Sequence, residues 1–182
     1  MRELRTAVVA AVVLTVVFGL AYPLVMTGAA QVLWPHKADG SPTLIAKDYS
    51  KDKGLFQARP SATHYSTHPT AFNNQGPNQE ALAAQLKGFL AAYLKRERPY
   101  TPGLTAAQVP PDAVTTSASG IDPQISAANA HIQANRVAKV RGLPLAQVMG
   151  LVDGETSQPL FGLAGPKSVN VVQLNTTLEA LR

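Results

Sequence analysis

From Thr6 to His36 the chain carries no Asp, Glu, Lys or Arg: thirty-one consecutive positions are filled mainly by Val, Ala and Leu. About twenty apolar residues suffice to cross a bilayer as a helix. At 1.5 Å per residue this run makes a helix of roughly 46 Å, longer than a hydrocarbon core of about 30 Å. The pattern predicts a transmembrane helix over 6–34, with Trp34 at the lipid–water boundary. Pro23 has no N–H, so the carbonyl of Gly19 loses its helical partner and a kink is expected near Pro23. Gly19, Pro23, Thr27 and Gly28 are candidate contacts with a partner helix, because small residues let two backbones approach. A cleaved signal peptide is the rival reading: Arg2 and Arg5 make a basic start, and Gly28-Ala29-Ala30 supplies small residues at a cleavage point. The apolar run exceeds the 7–15 residues of such a leader's core, which favours a retained anchor. Arg2, Arg5 and the amino terminus outweigh Glu3, whereas Lys37 and Asp39 cancel. Residues 1–5 are therefore expected in the cytoplasm and the rest outside.

Beyond the apolar run the pattern changes. Residues 35–55 read as a polar neck, with a turn at Asp39-Gly40-Ser41-Pro42 and a short strand at Leu44-Ile45-Ala46. Phe56 to Asn78 is rich in turn residues. A helix is expected from an Asn78 cap, with Glu80 in its first turn and a core stripe of Leu82, Leu86, Phe89, Leu90 and Tyr93. Lys95, Arg96 and Arg98 close it before Pro99. Thr105 and Gln108 form a candidate capping box. Ala113–Thr116 suggests a strand, and 117–123 a loop of small residues. Ser126 is placed to cap a helix with Ala130, Ala134, Val137 and Val140 on one face, ended by Gly142. Leu143-Pro144 opens a shorter helix through Val152, before a turn at Asp153-Gly154. The tail carries two periods: Val169 and Val171 alternate like a strand, whereas Val171, Leu174, Leu178 and Leu181 suit a helix. Helices mixed with short strands predict an α+β fold, a single external mixed α/β domain over 56–182.

Charge adds little to this picture. The chain carries +5, and about +4 lies beyond the apolar run. Its cations, Arg136 among them, are scattered and interleaved with Asp48, Asp52 and Glu97, which reads as a solvated surface and not as a nucleic-acid stripe. There is no cysteine, so disulfides and thiolate chemistry are excluded.

Candidate chemistry is sparse. His64 and His68 are four apart, but Pro69 argues against the helix that would make them joint metal ligands. Ser117 or Ser119 with Asp122 and His131 has the residue types of a hydrolase. Such a nucleophile needs a sharp Gly-flanked turn, and Gly120 is the one glycine nearby. Gly162–Lys167 imitates a phosphate loop, yet Pro166 removes a donor where one is required. No catalytic, cofactor or metal site is expected. A single span plus an external domain without an engine points to a subunit that acts with partners.

Several segments, in order over about 160 residues, carry a resemblance. They are Gly19-Leu20-Ala21-Tyr22-Pro23-Leu24 with Thr27-Gly28, then Leu44-Ile45, Phe56 and Arg59-Pro60-Ser61-Ala62. Asn74-Gln75-Gly76-Pro77-Asn78 follows, then the long run from Thr116 to Ser126. Arg136-Val137-Ala138, Arg141-Gly142-Leu143, Phe161-Gly162, Gly165, Val169-Asn170-Val171 and Leu174-Asn175 complete the set. Together they make the chain resemble the KdpC family, the C subunit of bacterial potassium-transporting P-type ATPases. The resemblance implies a non-catalytic accessory subunit of a four-part complex in the inner membrane. Its partners would be a channel-like potassium-selecting subunit, an ATP-hydrolysing P-type subunit and a small single-span subunit. The domain would be periplasmic, over the outer face of the potassium-selecting subunit. Arg59, Asn74, Asn78, Ser119, Asp122 and Asn170 are candidates for loop bracing or docking, with Arg59 a clamp on backbone carbonyls or on Asp122. The chain departs from the family at Ala58, where Gly is frequent, at Gln124, where His or another polar residue is, and in its short neck. The alternative kept beside this reading is a membrane-tethered periplasmic binding or assembly module of another transporter. A more distant one is an anchored hydrolase using Ser119, Asp122 and His131.

Overall fold

The computed structural model describes residues 1–35, 42–68, 75–158 and 165–181. The chain forms two compact units, Met1–Pro42 and Thr43–Arg182.

The first unit is helical. α1 covers Arg2–Val16 and α2 covers Tyr22–Leu33, joined by a π turn at Val17–Ala21. The Tyr22 N–H reaches back to the carbonyl of Val17, five residues earlier. Pro23 offers no N–H to Gly19, and a widened turn is one way a helix passes such a gap. Arg2–Leu33 is one continuous candidate membrane span. Its large apolar side chains between Val8 and Val25 are 43–70% exposed. Helices apolar on all sides suit hydrocarbon better than water.

The second unit is α+β. Its helices are α3 (Glu80–Glu97), α4 (Ala127–Arg141), α5 (Leu145–Gly154) and α6 (Val171–Glu179). Short strands β1 (Gln124–Ser126), β2 (Thr156–Ser157) and β3 (Ser168–Asn170) form an antiparallel sheet in the order β1-β3-β2. Val169 of β3 sits opposite Ile125 on one side and Thr156 on the other. The main core joins Phe56, Ile125, Val137, Val148, Val152, Val169, Leu174 and Leu178, all 0–2% exposed. A smaller cluster holds Tyr93, Leu104 and Ala113. Residues 43–55 belong to this unit, with Ala46 and Leu55 buried.

Local chemistry explains the helix ends. Ser126 Oγ accepts the N–H of Asn129 at 3.1 Å to start α4, and Gly142 ends it in the left-handed region at φ 68°. Pro144 precedes α5. Both periods of the tail are real: β3 ends at Asn170, whose Oδ1 accepts the N–H groups of Val172 and Gln173 and turns the chain into α6. The Thr105 N–H donates to Gln108 Oε1 at 2.8 Å around the Ala106–Gln108 turn, closing the capping box.

Several expectations are corrected. α3 starts at Glu80 with Gln79, not Asn78, at the cap; Asn78 lies exposed in the preceding turn. Leu44–Ala46 is not a strand: Pro42–Leu44 makes a 3-10 turn, and Ala46 gives one bond to Ile121. Ala113–Thr116 is not a strand either, because Pro111–Ala113 closes a 3-10 turn and the Thr115 hydroxyl bonds back to the carbonyl of Pro111. The strand lies later, at Gln124–Ser126, where β3 is available to pair. Asp153 and Gly154 complete the last turn of α5. Val140 is 44% exposed, and Ala138 takes the buried place on α4. Turns at 39–42 and the Gly-rich 161–166 stretch fall wholly or largely outside the described residues.

Candidate functional site

Among the described residues the extended segment Phe56–Gln57 has no strand beside it, and two side-chain amides replace one. Asn175 of α6 accepts the Phe56 N–H at 2.8 Å and donates to its carbonyl at 3.0 Å. Gln133 of α4 does the same for Gln57, at 2.8 and 3.1 Å. The backbone is thus satisfied while Phe56 drops into the core.

Downstream, 59–65 is laced to 115–122. Arg59 NH2 donates to Thr115 Oγ1 at 3.0 Å and to the carbonyl of Thr116 at 3.2 Å, while NH1 stands 3.5 Å from Asp122 Oδ2. Ser61 Oγ donates to the carbonyl of Gly120 at 2.6 Å, and Tyr65 OH to that of Arg59 at 2.8 Å. Gly120 is in the left-handed region at φ 71°, and a Cβ there would lie 2.5 Å from Thr63 Oγ1. Only glycine fits both demands. Burial raises the Tyr65 phenol above its ordinary pKa, so it is neutral and able to donate.

A buried polar chain backs residues 53–57. Glu97 and Arg136 are both 0% exposed. Arg136 Nε donates to Glu97 Oε1 and Oε2 at 3.1 and 3.2 Å, NH2 donates to Gln133 Oε1 at 3.0 Å, and NH1 to the carbonyls of Leu55, at 2.9 Å, and Lys53. Arg96 Nε adds a second cation to Glu97 at 2.6 Å. Burial lowers the Arg136 pKa and the Glu97 carboxylate opposes that shift. A guanidinium starts so high that it stays charged. Tyr93 OH donates to Asn129 Oδ1 at 2.9 Å, and Asn129 Nδ2 to Asp112 Oδ2 at 2.9 Å. Asp112 also accepts the Ser126 N–H and hydroxyl, placing a carboxylate at the start of α4 where the helix dipole favours it.

The remaining candidates are scattered. Ser119 Oγ accepts the Ile121 N–H at 3.3 Å. Asp122 Oδ1 accepts the Gln124 N–H while its other oxygen faces Arg59. His131 Nε2 pairs with Asp153 Oδ1 at 2.8 Å. The three residues of the imagined hydrolase therefore bond elsewhere and form no triad. His68 Nδ1 meets Thr67 Oγ1 at 3.0 Å, and among the described residues no cluster of His, Asp and Glu is suited to a metal. Asn170 Nδ2 donates to the carbonyl of Thr43 at 2.7 Å. Gln124 Oε1 is buried without a partner among the described residues. Gly19, Pro23, Thr27 and Gly28 are exposed on their helix, and nothing lies within 4 Å of a Cβ built at Gly28. Asn74 falls outside the described residues.

This arrangement braces the domain across long sequence separations. The profile of the KdpC family, described as the K+-transporting ATPase c chain, matches residues 4–180. The chain belongs to the KdpC family. A relative from Polaromonas naphthalenivorans is 46% identical over 192 residues, spanning 98% of this chain and 95% of its own length. One from Caulobacter sp. strain K31 is 44% identical, spanning 98% and 93%. One from Rhodopseudomonas palustris is 40% identical, spanning 99% and 98%. Each is named a potassium-transporting ATPase KdpC subunit.

In this KdpC-family chain the Glu97–Arg136 pair corrects the solvated-surface reading of both residues. A signal for Glu97 was present: it follows Tyr93 by four, on the buried line of α3. Arg136 lies between the buried Gln133 and Val137 of α4. No sequence rule joins the two.

Proposed function

We propose that this chain is the accessory subunit of a potassium-transporting ATPase complex in the bacterial inner membrane. It has no catalytic site of its own. It supports assembly, and coupling between a channel-like potassium-selecting subunit and a P-type ATP-hydrolysing subunit, with a small single-span subunit as the fourth part. The observation that carries this reading is the family match across 4–180, which includes the apolar helix and the domain together. The helix lies beside the potassium-selecting subunit, with Gly19, Pro23, Thr27 and Gly28 toward it. Arg2 and Arg5 hold the amino end in the cytoplasm and leave the domain in the periplasm. The laced loop around Arg59, Ser119 and Asp122 keeps one face of the domain rigid for docking.

The test is gentle detergent extraction of a tagged native copy, with mass identification of what accompanies it and potassium-stimulated ATP hydrolysis of the preparation. The potassium-selecting and ATP-hydrolysing subunits are expected with the full chain and lost when 6–34 is replaced by an unrelated apolar helix. Recovery of a different transporter's subunits would overturn the proposal.

A further inference from the structure

The π turn leaves the apolar helix short of backbone donors. The Tyr22 N–H donates to the carbonyl of Val17. α2 starts at Tyr22 with Ala21 as its N-cap, so the Ala21 carbonyl accepts the first N–H of that helix, from Val25. Between these two acceptors stand three more carbonyls, those of Phe18, Gly19 and Leu20. Between the two donors stand only Pro23, which has no N–H, and Leu24. Leu24 lies four residues beyond Leu20, the α-helical spacing, so the carbonyls of Phe18 and Gly19 are left without a partner in the helix. The chain's own side chains do not replace the missing donors. The hydroxyls of Thr15 and Thr27 reach back to carbonyls three or four residues earlier, and so to neither Phe18 nor Gly19. A Cβ built at Gly19 would meet one side-chain atom, the methyl Cγ2 of Thr15 at 3.8 Å.

We infer that the free carbonyls of Phe18 and Gly19 accept hydrogen bonds from a hydroxyl or carboxamide side chain on a neighbouring membrane helix of the complex. The inference rests on the function proposed above and supplies the chemistry of one contact. The two carbonyls lie about 18 Å beyond Thr6 and about 23 Å before Trp34 along the helix, near the middle of a hydrocarbon core of about 30 Å. Lipid tails offer no donor at that depth, and an uncovered backbone carbonyl is costly there. Gly19 has no side chain to hold a neighbour off its backbone. A second, parallel copy of this chain would bring two more acceptors to the same depth. Its hydroxyls, at Thr15 and Thr27, would stand about 5 and 12 Å away along the axis. The donor therefore comes from a different span.

The dipeptide Phe-Gly occurs twice, at 18–19 and 161–162. A full chain carrying carbonyl-13C Phe and 15N Gly, with Gly162→Ala, therefore gives one pair-selected magnetic-resonance signal, that of the Phe18 carbonyl. Accepting a hydrogen bond deshields a carbonyl carbon, so the signal is expected downfield in the purified whole complex relative to the same chain alone in phosphatidylcholine vesicles. Equal positions in the two overturn the inference, because they show either no donor or one supplied by water, lipid or a second copy. Independently, Pro23→Ala supplies the missing N–H. It is expected to close the helix over Phe18 and Gly19, to cancel the difference between complex and vesicle, and to lower retention of the multi-span subunits on the tagged chain about fivefold in rising detergent. Restoring a helix bond would then weaken the assembly, the reverse of what packing of small residues alone gives. Unchanged or raised retention, with helix content intact by circular dichroism, overturns the inference. If even the native chain brings down no potassium-transport subunit, the proposed function itself fails, a result separate from the others.

Discussion

Replacing Arg136 by Met tests the buried pair directly. The change keeps much of the side-chain volume and deletes every donor of the guanidinium. Gln133 Oε1 retains the Gln57 N–H, and the carbonyl of Leu55 retains a 3.4 Å contact from Gln57 Nε2. Glu97 suffers most: a carboxylate with no exposed surface keeps, among the described residues, only Arg96, itself 36% exposed. Removing one partner of a buried ion pair costs about 3–5 kcal/mol. The surviving Arg96 bond places Arg136→Met toward the low end of that range, about 3 kcal/mol. Adding Glu97→Leu removes the stranded charge, and the double variant is expected within about 1–2 kcal/mol of the native chain. The double variant is then about 1–2 kcal/mol more stable than Arg136→Met, against a typical total of about 5–15 kcal/mol. The assay is urea unfolding of the full chain in micelles, followed by near-ultraviolet circular dichroism. With a slope of about 2 kcal/mol per molar, the single variant loses about 1.5 M in midpoint. A single variant within about 1 kcal/mol of native, or a double variant no better than the single, would refute the assignment of a paired, desolvated charge.

Alkaline pH provides a second test. Burial raises the phenols of Tyr93, Tyr65 and Tyr49 above their ordinary value, with Tyr93 moved furthest. Above pH about 10 the unfolded chain releases these protons and the folded one keeps them, so stability falls as pH rises, by up to about 1.4 kcal/mol per unit for each fully shifted group. Tyr93→Phe should cost about 1 kcal/mol at neutral pH through the lost bond to Asn129, yet flatten the loss above pH 10; an unchanged slope contradicts the assignment. Gly120→Ala should destabilise by about 2–3 kcal/mol, from the left-handed φ together with the clash with Thr63. Thr63→Ala in the same chain should restore the steric part only, as read by the same unfolding curves, and full restoration would show that the backbone angle costs nothing.

Helices were readable where a local rule sufficed. Ser126 and Gly142 bound α4 because capping and a left-handed stop act over a few residues. Strands were less readable. β1 contains only Gln124, Ile125 and Ser126, too few to show alternation, and it exists because β3 pairs with it. The laced loop was half visible. Arg59 and Asp122 were singled out by their chemistry, while Asn175 and Gln133, which satisfy the backbone of Phe56 and Gln57, carry no spacing signal, since their partners lie 119 and 76 residues away.

The uncharged run from Thr6 to His36, the two ends of α4 and the family were determined by order along the chain. Membrane partition depends on summed transfer energy, and helix ends on neighbours a few residues apart. Which charges are buried was decided only by packing. Arg136 and Arg141 are both arginines on α4. One lies inside against Glu97, and the other is half-buried and donates from Nε to the carbonyl of Gly54. The cost or gain of a charge depends on the dielectric and the partners around it, and folding alone brings those partners together.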